Sequence, residues 1–273
     1  MSKPILRVEN INLHFTSNVY APASWREVFV RAFKREPPDK AEVLHVCKNL
    51  SFTASDGDRI AIVGTNGAGK TSLCRCIAGF YRPTSGHIEV EGRVRALFET
   101  ATVVQTELTG RENAWLLAGL IYPGEDVRKG VEEALEFSEL GRFLDVPLRT
   151  YSKGMLARLG LSLAAVKAAD LLILDEVFDG ADIFFRDKIS LRMLTLMEES
   201  GAVLFISHDP DQIRRVCNRL IFLQNGVIVF DGAVEQGLEL FKRSGNLDRR
   251  FLHETTPEIH LPASDLTSPL VRP

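Results

Sequence analysis

The chain has 273 residues, 33 Lys and Arg against 36 Asp and Glu, a formal net charge of −3 and 45% hydrophobic residues. With a mean hydropathy of zero, this is the composition of a globular chain of one large or two small domains, long enough to bury a substantial core. It excludes a small disulfide-stapled scaffold, and the near-neutral balance supplies no chain-wide field for nucleic acid. No run reaches the roughly 18 to 20 consecutive apolar residues of a membrane span, and the opening MSKPILRVEN lacks the apolar stretch of a signal peptide. The expectation is a cytosolic chain that does not itself cross a bilayer. The four cysteines, Cys47, Cys74, Cys76 and Cys217, form no CxxC pair and read as reduced structural thiols.

Along the chain, residues 16–44 interrupt the opening strand region. Within them Trp25, Val28, Phe29, Ala32 and Phe33 share one helical stripe, Arg26, Arg31, Lys34 and Arg35 are cationic, and Pro37 and Pro38 stop the helix. The run Arg59 to Val63 predicts a strand that ends in a glycine-rich loop, with helix-compatible residues from 72 to 77 after it. Helical periodicity dominates from about 100 to 165. Leu171 to Leu174 and Val203 to Ile206 predict two further buried strands, each ending in a polar cluster. Leu220 to Gln224 and Val227 to Phe230 flank Asn225-Gly226, a strong two-residue hairpin signal. Residues 246–273, with Pro257, Pro262, Pro269 and Pro273, read as a tail. Strands alternating with helices predict an α/β fold with a largely parallel sheet. The expected organisation is an α/β core from 1–98 and 166–245, a helical subdomain from 99–165, and the tail.

Gly64, Thr65, Asn66, Gly67, Ala68, Gly69, Lys70 and Thr71, followed by Ser72, fit the phosphate-binding pattern GxxxxGK[ST]. Glycines let backbone N–H groups point at phosphate oxygens, and the following helix offers its positive end. Lys70 is expected on the β and γ phosphates and the Thr71 hydroxyl on Mg²⁺. A chance match in a chain of this length is about one in a hundred from average composition. Asp175 follows four apolar residues, as a second Mg²⁺ carboxylate at a strand end does, and Glu176 comes next. Neighbouring strand residues point to opposite sides, which separates a metal ligand, Asp175, from a group that polarises the attacking water, Glu176. His208, in Phe205-Ile-Ser-His-Asp209, ends another strand and is a candidate γ-phosphate sensor. In an open parallel sheet all three clusters meet beyond the carboxyl ends of the strands.

These spacings resemble the ATP-binding subunit of ABC transporters, a P-loop NTPase core with an inserted helical subdomain. Tyr151-Ser-Lys-Gly-Met155 looks like the family signature in a YSxGM form, and Phe178-Asp-Gly-Ala-Asp182 resembles the D-loop. The resemblance runs from residue 5 to about 240. It implies that ATP binds between two copies of the chain, with Ser152 and Gly154 of one closing on the phosphate loop of the other, and Asp182 nearby. Asp145-Val-Pro-Leu-Arg-Thr-Tyr-Ser-Lys-Gly-Met155, Leu108-Thr-Gly-Arg-Glu-Asn113 and Asp175-Glu-Val-Phe-Asp-Gly-Ala-Asp182 are similar to the subgroup that exports O-antigen, capsule or teichoic acid polymers. That implies a separate transmembrane permease, contacted through the Trp25 to Phe33 stripe, and a peripheral place on the cytoplasmic face of the membrane. O-antigen and capsule stand ahead of teichoic acid, and the tail is too short for a polymer-recognising β-sandwich.

The chain departs from the family pattern at three places. Glu99 and Thr100 occupy the position of the usual Q-loop Gln, where Glu99 is a candidate Mg²⁺ or water contact. Lys153 replaces a signature Gly. The adenine-stacking ring is Phe15, or Tyr20 if the insertion displaces it. An importer subunit for a small solute shares every catalytic residue. A non-transport ABC ATPase of DNA repair or translation is opposed by the short interval of about eighty residues between Lys70 and Tyr151, which holds no sustained heptads.

Overall fold

The computed structural model of the chain describes residues 4–17, 42–98, 105–176 and 183–245. The Trp25 to Phe33 stripe, Tyr20, Glu99, Thr100, Asp182 with the rest of the D-loop, and the tail from 246 lie outside the described residues.

Two long strands, β1 (Leu6–Ser17) and β2 (Glu42–Ala54), flank the insertion and pair antiparallel, and β4 (Ser85–Val90) completes a three-stranded sheet in the order β2-β1-β4. A second sheet of six strands has the order β5-β6-β7-β3-β8-β9, built from β3 (Arg59–Gly64), β5 (Val94–Leu97), β6 (Leu171–Asp175), β7 (Ala202–Ile206), β8 (Arg219–Gln224) and β9 (Val227–Gly232). Its first four pairings are parallel and only β8–β9 is antiparallel. The sheet is therefore mostly parallel with antiparallel additions, as the alternation of strands and helices predicts.

The apolar runs follow from burial on both faces. Alternate residues of each strand enter different cores. Val63, Leu172, Leu174, Val203, Phe205 and Phe222 pack with α5 (Ile183–Glu199) and α7 (Val234–Arg243). Ile60, Ile62, Ile173, Leu204 and Ile221 pack with the antiparallel sheet and with α1 (Lys70–Ile77). A strand sandwiched this way has no solvent-facing side, so its sequence shows continuous Val, Ile and Leu instead of alternation. A third cluster draws only on residues 114–163. It includes Ala114 and Ala118 of α2 (Gly110–Ile121), Val131 and Leu135 of α3 (Arg128–Phe137), and Leu159 and Leu163 of α4 (Lys153–Ala164).

The Asn225-Gly226 turn forms as its chemistry dictates. Both residues have positive φ, 52° and 80°, and Gln224 pairs with Val227 across it. The Gly226 carbonyl then accepts from the Lys48 N–H at 2.8 Å, tying the hairpin to β2. All four cysteines are free, and burial pushes the Cys76 thiol up to about 11 and those of Cys47 and Cys217 up to about 12. They behave as packing groups.

Phe205 is 1% exposed on a central strand. Phe205→Ala should lower the unfolding free energy by about 3–5 kcal/mol, through lost burial and the cavity left behind. Urea titration checks this, with an unchanged slope showing that the loss is one of stability alone.

Candidate functional site

The site begins where β3 runs out. Gly64 lies against β8, where a Cβ would stand 2.3 Å from the Leu223 carbonyl oxygen, so only glycine allows the strand to turn there. Gly69 caps α1 at φ 101°, and a Cβ on it would meet the Val46 carbonyl oxygen of β2 at 2.6 Å. The antiparallel sheet thus roofs the loop. Thr65 is half-buried, Asn66 and Gly67 form the exposed tip, and Ala68, whose N–H bonds back to the Thr65 carbonyl at 3.0 Å, is buried. The first-turn N–H groups of α1 have no partner inside the helix, and with its dipole they favour an anion.

Lys70 is 7% exposed. Its ammonium donates to the carbonyls of Gly64 at 2.8 Å and Thr65 at 3.1 Å, which folds the side chain back across the loop. Burial lowers its pKa below the ordinary lysine value, while the carboxylates of Glu176 and Asp175 pull the other way. Asp175, the last residue of β6, is buried as well and accepts a hydrogen bond from the Thr71 hydroxyl. Burial raises its carboxyl above the usual range despite that bond and the Lys70 and Arg75 charges, with Glu176 adding to the rise. Ser72 follows in the first turn of α1, half-buried. Thr71 and Asp175 bring two hard oxygen donors together, one on a desolvated carboxylate whose negative charge is under-compensated. That donor set fits Mg²⁺.

Glu176 steps out of the strand. Its φ is +50°, rare for a residue with a side chain, and its N–H bonds to the Ile206 carbonyl of β7 at 3.2 Å. The turn takes the side chain away from Asp175 to the end of β7, where Glu176 Oε1 lies 2.5 Å from His208 Nε2. His208 is itself fixed in a tight turn: Ser207 Oγ accepts from the Asp209 N–H at 3.1 Å, and the Asp209 carboxylate caps α6 (Pro210–Val216). Lys70, Thr71, Asp175, Glu176 and His208 therefore stand together at the carboxyl edge of β3, β6 and β7.

Phe15, 39% exposed near the end of β1, packs edge-on to Tyr81 with ring centroids 5.5 Å apart. The Tyr81 hydroxyl accepts from Arg75 of α1 at 3.1 Å, so the ring is referred back to the phosphate-loop helix. Arg75 and Tyr81 are supports that no motif announces; a positive residue in the last turn of α1 is their only trace in the sequence.

Ser152 and Gly154 belong to the helical layer. Ser152 is the N-cap of α4, its hydroxyl accepting from the Met155 N–H at 3.2 Å, and Lys153 is exposed. The two subgroup-like stretches dock on each other beside it. Thr109 and Glu112 close a capping box at the start of α2, and the fully buried Asn113 amide bridges Gln105, Leu108 and Thr109. The Leu108 carbonyl accepts from Leu148, Thr106 from Arg149, and Tyr151 donates to the Phe143 carbonyl at 2.6 Å while resting on Gly110. Leu108 to Asn113 and Asp145 to Met155 are thus two halves of one mount for the signature.

The family model for ABC transporters matches residues 47–179. The O-antigen export system ATP-binding protein RfbB of Klebsiella pneumoniae is 37% identical over 198 residues, 72% of this chain and 80% of that protein. The corresponding protein RfbE of Yersinia enterocolitica is 39% identical over 183 residues, 66% of this chain and 76% of its own length. The teichoic acids export ATP-binding protein TagH of Lactococcus lactis subsp. lactis (strain IL1403) is 34% identical over 197 residues, 72% of this chain but 42% of that longer protein. Among solved structures, the ATP-binding cassette MJ0796, as a post-hydrolysis dimer bound to ADP and Pi, superposes with a TM-score of 0.65 at 19% identity, over 84% of this chain and 98% of its own. That likeness establishes the fold. The ABC transporter family model spans the loop, the Tyr151 to Met155 stretch and strand β6 described above, and together with a relative 37% identical along 80% of its own length it places this chain in the ABC transporter family of ATP-binding proteins.

Proposed function

We propose that this chain is the ATP-hydrolysing subunit of an exporter for a lipid-linked cell-surface polysaccharide, O-antigen or capsule ahead of teichoic acid. It works as a pair of identical copies on a separate membrane permease. The observation that carries the enzymatic part is the meeting of Lys70, the Thr71–Asp175 pair and the Glu176–His208 pair at one sheet edge. The export part is supported by relatives named for O-antigen and teichoic acid export. None of the described helices is long and apolar enough to cross a membrane, which fits a subunit seated peripherally on the cytoplasmic face of a permease.

In this reading the loop N–H groups and Lys70 hold the β and γ phosphates, Phe15 stacks on adenine, and Glu176 orients the water in line with the γ-phosphorus. Thr71 and Asp175 would hold Mg²⁺, which would neutralise phosphate charge there. Glu99 and Asp182 remain candidates for a further metal contact and for the partner-facing edge. His208, at 2.5 Å from the Glu176 carboxylate, steadies the base and stands where a γ-phosphate is sensed. Ser152, Gly154 and the N-terminus of α4 approach from the second copy and add donors to the γ-phosphate. Two copies related by a twofold axis form two such sites. The Trp25 to Phe33 stripe is the proposed permease contact.

Glu176→Gln should bind ATP as the parent does, accumulate as an ATP-bound dimer, and lose about 10²–10⁴ in hydrolysis rate. Phosphate release and light scattering read the two effects, and a parental rate removes Glu176 from the role of base. Deleting the gene should leave a lipid-linked surface glycan inside the cell, and fractionation of that glycan identifies the polymer. Normal surface glycans with a defect in solute uptake would instead support an importer.

Asp175 gives a pH-dependent outcome. Its folded-state pKa is raised, so its contribution to stability is present below the ordinary value of about 4 and is lost as pH rises through the raised value. Nucleotide-free Asp175→Asn should therefore melt above the parent at pH 7, with the difference shrinking as the pH falls toward 4. Mg·ATP should no longer raise its melting temperature. Calorimetry across that range checks both.

A further inference from the structure

The carbonyls of the last turn of α4 and of the residues after it lie where helical i to i+4 bonding runs out. Six in succession, from Leu163 to Ala168, accept from side chains. The Tyr122 hydroxyl, just past α2, reaches Leu163 at 2.8 Å and Ala164 at 3.0 Å. Arg192 of α5 donates to Ala165 at 3.0 Å and Val166 at 3.4 Å. Arg95 of β5 donates to Lys167 at 2.9 Å and also to Ala168.

Arg95 does more than close this collar. It is 4% exposed, at an inward position of β5 shared with Leu97, where an apolar residue would ordinarily sit. Its guanidinium lies 4.6 Å from the centre of the Tyr122 ring, and its second amino group meets Glu125 Oε1 at 2.6 Å. The side chain of Glu125, in the turn between α2 and α3, is 5% exposed. Its other oxygen takes Lys167 at 2.7 Å and Arg93 at 2.9 Å. Burial alone would raise its carboxyl, but bonds from Lys167 and Arg95 and the charges of Arg95 and Arg93 bring it below the ordinary value. Among the described residues, Arg95 thereby joins three parts: the sheet, the base of the signature helix, and the α2–α3 hairpin.

We propose that Arg95, clamped by Glu125, is a positioning residue for ATP hydrolysis: it sets the angle of α4 on the sheet and hence where Ser152 and Gly154 are presented to the second copy's ATP. This rests on the sandwich arrangement proposed above. The mount at the front of α4 is made within the helical layer, so the attachment to the sheet falls to the base. A planar guanidinium bonded to two carbonyls and a carboxylate fixes a direction, which a point charge does not. The lever is long. Twelve residues of helix span about 18 Å, so a tilt of about 5° at the base moves Ser152 by about 1.5 Å. That displacement breaks a hydrogen bond whose working range is 2.7–3.2 Å, and misplacement of about 1 Å costs on the order of 10²-fold in rate.

The test compares the purified full chain with Arg95→Met, Arg95→Lys and Glu125→Gln, each also combined with Glu176→Gln. Three quantities are read: affinity of the dilute, separated chain for a fluorescent ATP analogue, kcat against KM for ATP, and ATP-driven dimerisation in the Glu176→Gln background. Arg95→Met is expected to lower kcat at least tenfold and raise the protein concentration needed for dimerisation at least tenfold, with affinity of the separated chain within twofold. Arg95→Lys should not restore it, because one ammonium cannot reach two carbonyls and Glu125 together, and Glu125→Gln should fall between. Should Arg95→Met not fold, the other two variants carry the comparison. Parental kcat and dimerisation in the variants, full rescue by lysine, or an equal loss of affinity and kcat would each overturn the positioning role while leaving the ATPase standing. A parent chain that neither dimerises with ATP nor hydrolyses it would overturn the ATPase reading, and this role with it.

Discussion

Strands β3, β6 and β7 are buried on both faces, and that single constraint arranges the rest of the molecule. Polar side chains cannot sit along these strands without stranding unpaired groups between two apolar layers. They collect where the strands end. Gly64, Asp175 and Ile206 close three neighbouring strands at one edge, so the residues that follow each of them share one space although the first lies more than a hundred positions before the other two. The parallel direction of these strands matters as much as their burial, because antiparallel neighbours would have sent alternate ends to opposite sides of the sheet.

The groups gathered there are held under electrostatic tension. Lys70 and Asp175 are both buried, each shifted toward its neutral form by the loss of water, and each only partly compensated by the other. In the proposed function a phosphate chain and its cation would supply opposite charge to both. In the backbone, a left-handed conformation at Glu176, unfavourable by about 1–2 kcal/mol for a residue with a Cβ, separates its carboxylate from that of Asp175 and turns it toward His208.

The helical layer is organised around one helix, α4, which is held at both ends. At the front of α4, Asn113 and the capping box of Thr109 and Glu112 organise the turn on which residues 145–151 rest. At its base, donors from Tyr122, α5 and β5 take the carbonyls of its last turn and of the residues that follow. The two stretches that look like subgroup motifs are read from the sequence as functional labels; in the structure they are a mount, and their residue types are those that capping and buried amide bonding require.

By itself the sequence determined the local chemistry: the phosphate loop, the strands that precede each polar cluster, and the Asn225-Gly226 hairpin. Each depends on contacts within a few residues, so spacing and residue type suffice to see it. Tertiary structure alone decided the 2.5 Å approach of His208 to Glu176, the roofing of Gly69 by Val46, the Arg75–Tyr81 support beneath Phe15, and the collar around Leu163 to Ala168. Arg95 is the sharpest case. It is the one charged residue of the four-residue strand Val94–Leu97, and nothing near it in the chain marks its hydrogen-bond partners, which lie 30 to 73 residues away. Burial of a charge is decided by which distant groups arrive to satisfy it, and only the folded chain brings Glu125 and the end of α4 to that place.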